Sequence, residues 1–151
     1  MRPESPLEVG ERLARREVAP PPVARLIGME IEAVERGRAV VSLHAEARHA
    51  NPMGTLHGGI LADLADAAMG MAYASTLDEG EAFTTLELKI NFLRPVWTAQ
   101  LTATGTVKQR GRTVGLTECD VVDEDGRLIA HASSTCMTLR GEEAAGRSLP
   151  S

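Results

Sequence analysis

Asn51-Pro-Met-Gly-Thr-Leu-His57-Gly-Gly-Ile-Leu-Ala-Asp-Leu-Ala-Asp66-Ala-Ala-Met-Gly70 is the stretch that decides how this chain folds. From Asn51 to Leu77 there is no Lys, Arg or Glu, and the only formal charges are Asp63 and Asp66, although 25% of the chain is charged. A run so poor in charge predicts burial. From Gly58 onward its Ala, Leu and Met content predicts a helix. At 100° per residue Ile60, Leu61, Leu64, Ala68, Met71 and Ala72 share one face, as a helix laid on a core requires. Ser75 continues that face with a polar residue, which predicts that the helix leaves the core there. Asp66 points the opposite way, among Gly59, Ala62, Asp63, Gly70 and Tyr73. A solvated face mixes Lys, Arg and Glu, so this small-residue face predicts contact with another polypeptide or a ligand. His57-Gly58-Gly59 stands at the helix start, where free N–H groups carry positive potential and glycines admit a ligand close to the backbone. The plainer reading is a glycine-rich loop feeding a buried helix.

Outward from this stretch, 151 residues predict one domain with a core of its own. No apolar run approaches the roughly 20 residues that cross a bilayer, so no membrane span is expected. The first residues lack the apolar segment of a secretory signal, which makes a cytoplasmic location the default. A net charge of -5 argues against a nucleic-acid partner. Cys119 and Cys136 flank the turn Asp123-Glu-Asp-Gly126. A hairpin there sets residue 119 opposite 130 to 132, away from 136, so no disulfide is expected. With no clustered His and Cys, neither a structural zinc nor another metal is expected.

Residues 1–22 read as a polar N-terminal extension ending in Pro20-Pro21-Pro22, with Glu8 to Glu17 a loose helix outside the core. Val23 to Ile27 reads as a short helical turn. Met29, Ile31 and Ala33 alternate with glutamates, and Ala39, Val41, Leu43 and Ala45 alternate with polar residues across the Glu35-Arg-Gly-Arg38 turn, which predicts a hairpin. After the helix, Leu86, Leu88, Ile90 and Phe92 alternate with Glu87, Lys89 and Asn91, and Pro95 ends that strand. Strands around 101–108, 113–122 and 128–139 follow. Residues 141–151 read as a disordered tail, leaving 23–140 as the domain. One long helix and six strands imply an antiparallel sheet curled round a single helix, an α+β fold. Such a sheet covers one helix face, and a second copy of the chain is the economical cover for the Asp66 face.

With these elements in place, residues 22 to 140 resemble the hotdog-fold acyl-CoA thioesterases, in particular the phenylacetate-degradation (PaaI-type) and 4-hydroxybenzoyl-CoA group. That family carries an Asn six residues before the His of a His-Gly-Gly motif and an acid nine residues after it. Asn51, His57-Gly58-Gly59 and Asp66 match all three spacings, and Asn-Phe-Leu-Arg94-Pro95 is also family-like. The resemblance implies a thioester hydrolase assembled as a homodimer or a dimer of dimers. Coenzyme A would be part of its substrate, with no separate cofactor. It implies that Gly58 or Gly59 gives a backbone N–H to the thioester carbonyl. Asp66, from the neighbouring subunit, then acts either as general base or as nucleophile. His57 and Asn51 orient the site; the alternatives are a histidine that caps backbone and an asparagine that only makes a turn.

The aryl type of the family places a Ser or Thr ten residues before the proline, which gives Thr85. Simple alternation sets Thr85 with Glu87 and Lys89, so Thr84 is the alternative unless the strand is kinked. Asp63 is either a first-turn acid favoured by the helix dipole or a like charge that raises the Asp66 pKa. For coenzyme A, the expected contacts are Arg94 and Pro95, and a basic turn with Arg110, Gly111, Arg112 and Thr113 beside Lys108. The acyl group expected is aryl, arylacetyl or a short to medium chain. Two rival readings on the same fold are a non-catalytic acyl-CoA sensor and a hydratase or dehydratase. The second needs a His at a different spacing, and the helix has no His beyond residue 57.

Overall fold

The computed structural model describes residues 2–147. Two short helices, α1 (Pro6–Ala14) and α2 (Pro22–Ile27), precede a hairpin of β1 (Met29–Glu35) and β2 (Arg38–Ala45). The long helix α3 (Gly58–Ala74) follows, and then β3 (Ala82–Phe92), β4 (Ala99–Arg110), β5 (Val114–Val122) and β6 (Leu128–Leu139). All six strands form one antiparallel sheet in the order β1-β2-β4-β5-β6-β3, and α3 packs against its inner face. This is the helix-in-sheet architecture expected from the sequence, the hotdog fold.

The sheet admits the helix because its inner face is built of small residues at the closest point. Ala39, Ala45, Ala103 and Gly105 lie there, and a Cβ on Gly105 would stand 2.4 Å from the Ala68 carbonyl carbon and oxygen. Gly105→Ala therefore pushes backbone from backbone with no side chain to yield. We expect a loss of about 3 kcal/mol and a Tm lower by roughly 6–12 °C, read by thermal denaturation.

Both hairpins expected from their turns form. Glu35 pairs with Arg38 around Gly37, whose φ is +79°, and Cys119 stands opposite Ala132.

The helix is buried more fully toward its end than its periodicity predicts. Tyr73, expected on the bare face, is fully buried: its hydroxyl bonds the Thr138 hydroxyl at 2.7 Å, and its ring lies 5.5 Å from that of Phe83. The curl of the sheet brings the start of β3 and the end of β6 under the last helical turns, where a straight wheel assumes open space. Ser75 does not leave the core either. Its Oγ donates to the Ala72 carbonyl and accepts from the Gly37 N–H, so it ties the helix end to the first hairpin.

Two terminal segments also depart from expectation. Helix α1 is capped by Ser5, with Glu8 closing the capping box. It lies on β1, with buried Gly10 so close to Val34 that a Cβ would meet its methyl at 2.8 Å, so it is not a loose helix outside the core. Its Leu7, Leu13 and Ala14 supply the apolar side that the mixed charges obscure. After Arg140, residues Gly141–Glu143 form a 3-10 turn rather than disordered chain, and residues 148–151 lie outside the described part.

Candidate active site

Residues 51–59 are held by a chain of local hydrogen bonds. The Asn51 side-chain amide donates to Thr55 Oγ1 at 2.8 Å, and its oxygen accepts from the Met53 N–H at 2.9 Å. Asn51 thus builds the turn that the sequence left as its alternative role, while still lining the cavity described below. The Leu56 N–H donates to the Val96 carbonyl at 2.7 Å and that of His57 to the His49 carbonyl at 2.9 Å.

His49, which sequence reasoning passed over, is buried. Its Nδ1 accepts from the Glu46 N–H, so its Nε2 carries the proton donated to the Ile27 carbonyl at 2.7 Å. A lone histidine in a polar segment carries no spacing signal, so only the fold exposes it.

His57 is the N-cap of α3, and its Nδ1 accepts from the Gly59 N–H at 2.9 Å. The Ile60 N–H is taken by the His57 carbonyl. Of the two glycines the sequence offered as donors, Gly59 is therefore occupied. Among the described residues no group accepts the N–H of Gly58.

Gly58 opens onto a cavity of about 430 Å³ between the helix start and the β3–β4 connection, also lined by Asn51, Leu61, Phe92, Arg94 and Pro95. The Phe92 ring lies on Gly58 so closely that a Cβ there would stand 2.9 Å from it. Four of the residues singled out from sequence, Asn51, Gly58, Arg94 and Pro95, thus share one space.

Asp66 is not in it. Eight residues further along α3 it lies about 12 Å from Gly58 along the axis. Its side chain is open to solvent in the single chain. Even so, the surrounding protein withdraws enough water that burial raises its carboxyl above the ordinary aspartate range, and the like charge of Asp63 raises it further. Asp63 is the sixth helical residue, beyond the first turn, so its part is that of a like charge rather than a dipole-favoured acid.

On β3 the register shifts between Thr85 and Glu87, a bulge at Leu86. The bulge turns Thr85 to the inner face, opposite Cys136, and the strand is kinked in the way that simple alternation could not show. Leu86, expected in the core, is pushed outward and is 53% exposed.

The basic turn after β4 divides. Arg110 points inward, its guanidinium 4.9 Å above the Tyr73 ring and its Nε donating to Thr76 Oγ1 at 2.9 Å. It is therefore not the free cation expected of a coenzyme A contact. Lys108 stands 3.5 Å from Glu118. Arg112 remains exposed. Gly111 is needed for the tightness of the turn, since a Cβ would meet the Val114 carbonyl oxygen at 2.4 Å, and the Thr113 carbonyl accepts from the Thr138 N–H. This turn lies at the far end of β4 from Arg94 and Pro95.

The family model of the thioesterase superfamily matches residues 53–130, just over half of the chain and the whole path from the Asn51 turn through β5. The chain belongs to the thioesterase superfamily. Among curated members it is 32% identical to the acyl-coenzyme A thioesterase PaaI of Escherichia coli, over 71% of this chain and 75% of that one. It is also 32% identical to the 1,4-dihydroxy-2-naphthoyl-CoA hydrolase of Listeria monocytogenes, over 72% of this chain and 89% of that one. The solved structure of the E. coli PaaI protein from the phenylacetic acid degradation operon superposes with a TM-score of 0.79 at 28% identity. It covers 91% of this chain and 98% of its own. No helix among the described residues is long and apolar enough to cross a membrane.

Proposed function

We propose that this thioesterase hydrolyses an acyl-CoA, with an aryl, arylacetyl or short-to-medium acyl group, to the free acid and coenzyme A. The observation that carries the reading is the free N–H of Gly58 at a helix start, facing a cavity that also holds Asn51, Arg94 and Pro95. A thioester carbonyl seated there gains a donor aimed at the charge that develops on its oxygen, reinforced by the helix dipole. Arg94, at the rim, suits a phosphate of coenzyme A, and Arg112 is the exposed guanidinium left on the other turn.

The catalytic unit is a homodimer. The β1 edge of the sheet is covered by α1, whereas on the other side β3 ends the sheet among the described residues, and it carries exposed Leu86 and Phe92. Two-fold pairing of β3 with its copy runs the two α3 helices in opposite directions. That brings Asp66 of one chain toward Gly58 of the other and gives the small-residue face the cover it lacks. Asp66 then takes a proton from water as the water attacks the carbonyl carbon, with Thr85 holding the water. The oxyanion collapses, the C–S bond breaks, and the sulfur leaves with its electron pair and takes up the proton that Asp66 received from the water. A carboxyl raised above its ordinary range is the better base for this step. Dimers of this kind pair into dimers of dimers, and the compartment is the cytoplasm.

A thiol-release assay on acetyl-, hexanoyl-, benzoyl-, phenylacetyl- and palmitoyl-CoA tests the activity. Coenzyme A release from at least one of the middle three is the expected result, and no release from any of the five overturns the reading. Sedimentation equilibrium tests the dimer, and a monomer at micromolar concentration contradicts it.

A further inference from the structure

Most of the sheet's inner face is apolar, as its contact with α3 requires, but toward the end of the helix, where Cys136 packs with Tyr73 and Leu77, it changes character. Thr117 on β5 and Ser134 and Cys136 on β6 are all fully buried there, and they lead across the sheet to Thr85 on β3. The file is continuous. The Thr117 hydroxyl donates to the Ser134 carbonyl at 3.3 Å and shares a short bond with Ser134 Oγ. Ser134 Oγ lies 3.8 Å from Cys136 Sγ, and Cys136 Sγ lies 4.0 Å from Thr85 Oγ1.

Three hydroxyls and a thiol in a row are an expensive way to fill a site that Ala and Val fill elsewhere on the same face. The members satisfy one another within the file, which restricts their rotamers. It begins in the core and ends at the half-buried Thr85, the member that stands beside the bulge at Leu86. Burial raises the Cys136 thiol above its ordinary range, and the charge of Asp66 adds a small push in the same direction.

We propose that Cys136, backed by Ser134 and Thr117, is a positioning residue that fixes the Thr85 hydroxyl for the attacking water, an inference that rests on the hydrolytic reading above. Cys136 Sγ meets the threonine oxygen from the neighbouring strand at 4.0 Å, with either atom able to donate. Its part in the reaction runs entirely through Thr85.

The test is a double-mutant cycle on the full chain, with phenylacetyl-CoA and hexanoyl-CoA as probes. Cys136→Ala is expected to lower kcat about fivefold, the worth of one neutral hydrogen bond, with KM within about twofold. Cys136→Ser places a smaller donor on a shorter bond, out of reach of Thr85 Oγ1, and is expected to lower kcat as Cys136→Ala does. In a Thr85→Val background the further change Cys136→Ala has no effect on kcat, because there is no hydroxyl left to position. Ser134→Ala, one step back in the file, lowers kcat in the same direction and serves if Cys136→Ala does not fold. A merely structural role for the file predicts a lower Tm with unchanged kcat, or losses that multiply in the double variant, and either result overturns the proposal. Turnover by the wild-type chain combined with multiplying losses removes this inference alone. A wild-type chain that releases no thiol removes the hydrolytic reading and this inference with it.

Discussion

Asp66→Asn is expected to lower kcat by about 10²- to 10⁴-fold while leaving fold and oligomeric state intact. The substitution keeps the shape of the side chain and removes only its capacity to take a proton. Nothing in the fold depends on the carboxylate: among the described residues it accepts no hydrogen bond, and no cation is among the groups that shift it, only the like charge of Asp63. The sign of its stability contribution follows from the raised carboxyl. A group held above its unfolded range favours the folded state at pH below the unfolded value, and that contribution is lost as pH rises through the folded one. At neutral pH the ionised Asp66 is thus a cost, and the Asn variant should melt no lower than the wild type. The same shift places the acid limb of the wild-type kcat/KM profile above the ordinary aspartate range, and the Asn variant should lose that limb. Thiol release and thermal melts measured together decide the matter. Turnover near the wild-type rate would remove Asp66 as the base.

The second large effect belongs to a backbone atom. Gly58 is the first residue of α3, a position where proline is well tolerated because its missing N–H has no helical acceptor to lose. His57 before it has φ -64° and ψ 131°, the extended conformation that a following proline demands. Gly58→Pro should therefore fold and still carry the His57 cap on Gly59, but it deletes the free backbone N–H of a cavity-lining residue. We expect kcat to fall about 10²- to 10³-fold, as for the loss of one oxyanion donor, with KM changed far less. The control is Gly58→Ala, which keeps the N–H and also adds bulk against the exposed Phe92 ring, an aromatic side chain free to shift outward. If Ala and Pro are equally slow, the crowding of Phe92 is responsible and the N–H is not the donor.

Much of the fold was legible because its signals are local. The charge-free run set the helix, alternation with turn residues set the hairpins, and the spacing of Asn51, His57 and Asp66 carried the resemblance to the thioesterases. Period counting failed where the chain departs from regular geometry or where a distant element arrives. The bulge at Leu86 shifts the face of every residue before it, so Thr85 looks inward and Leu86 outward, and nothing in the residue types around it announces an extra residue. Tyr73 and Arg110 were misplaced for a different reason. The helical wheel set Tyr73 on the bare face and its charge set Arg110 in solvent, yet Tyr73 is buried with its hydroxyl on Thr138, and Arg110 is half-buried over the Tyr73 ring.

By itself the sequence determined the helix-in-sheet architecture, the acid on the bare helix face and the glycine pair at the helix start, since periodicity and chain spacing are properties of the covalent order. Only the tertiary structure decided which glycine keeps its N–H free, that Asn51 also builds its own turn, and that Thr85 ends a buried polar file. Those outcomes depend on which donors and acceptors meet across strands, and hydrogen-bond partners far apart in sequence are chosen by packing rather than by spacing.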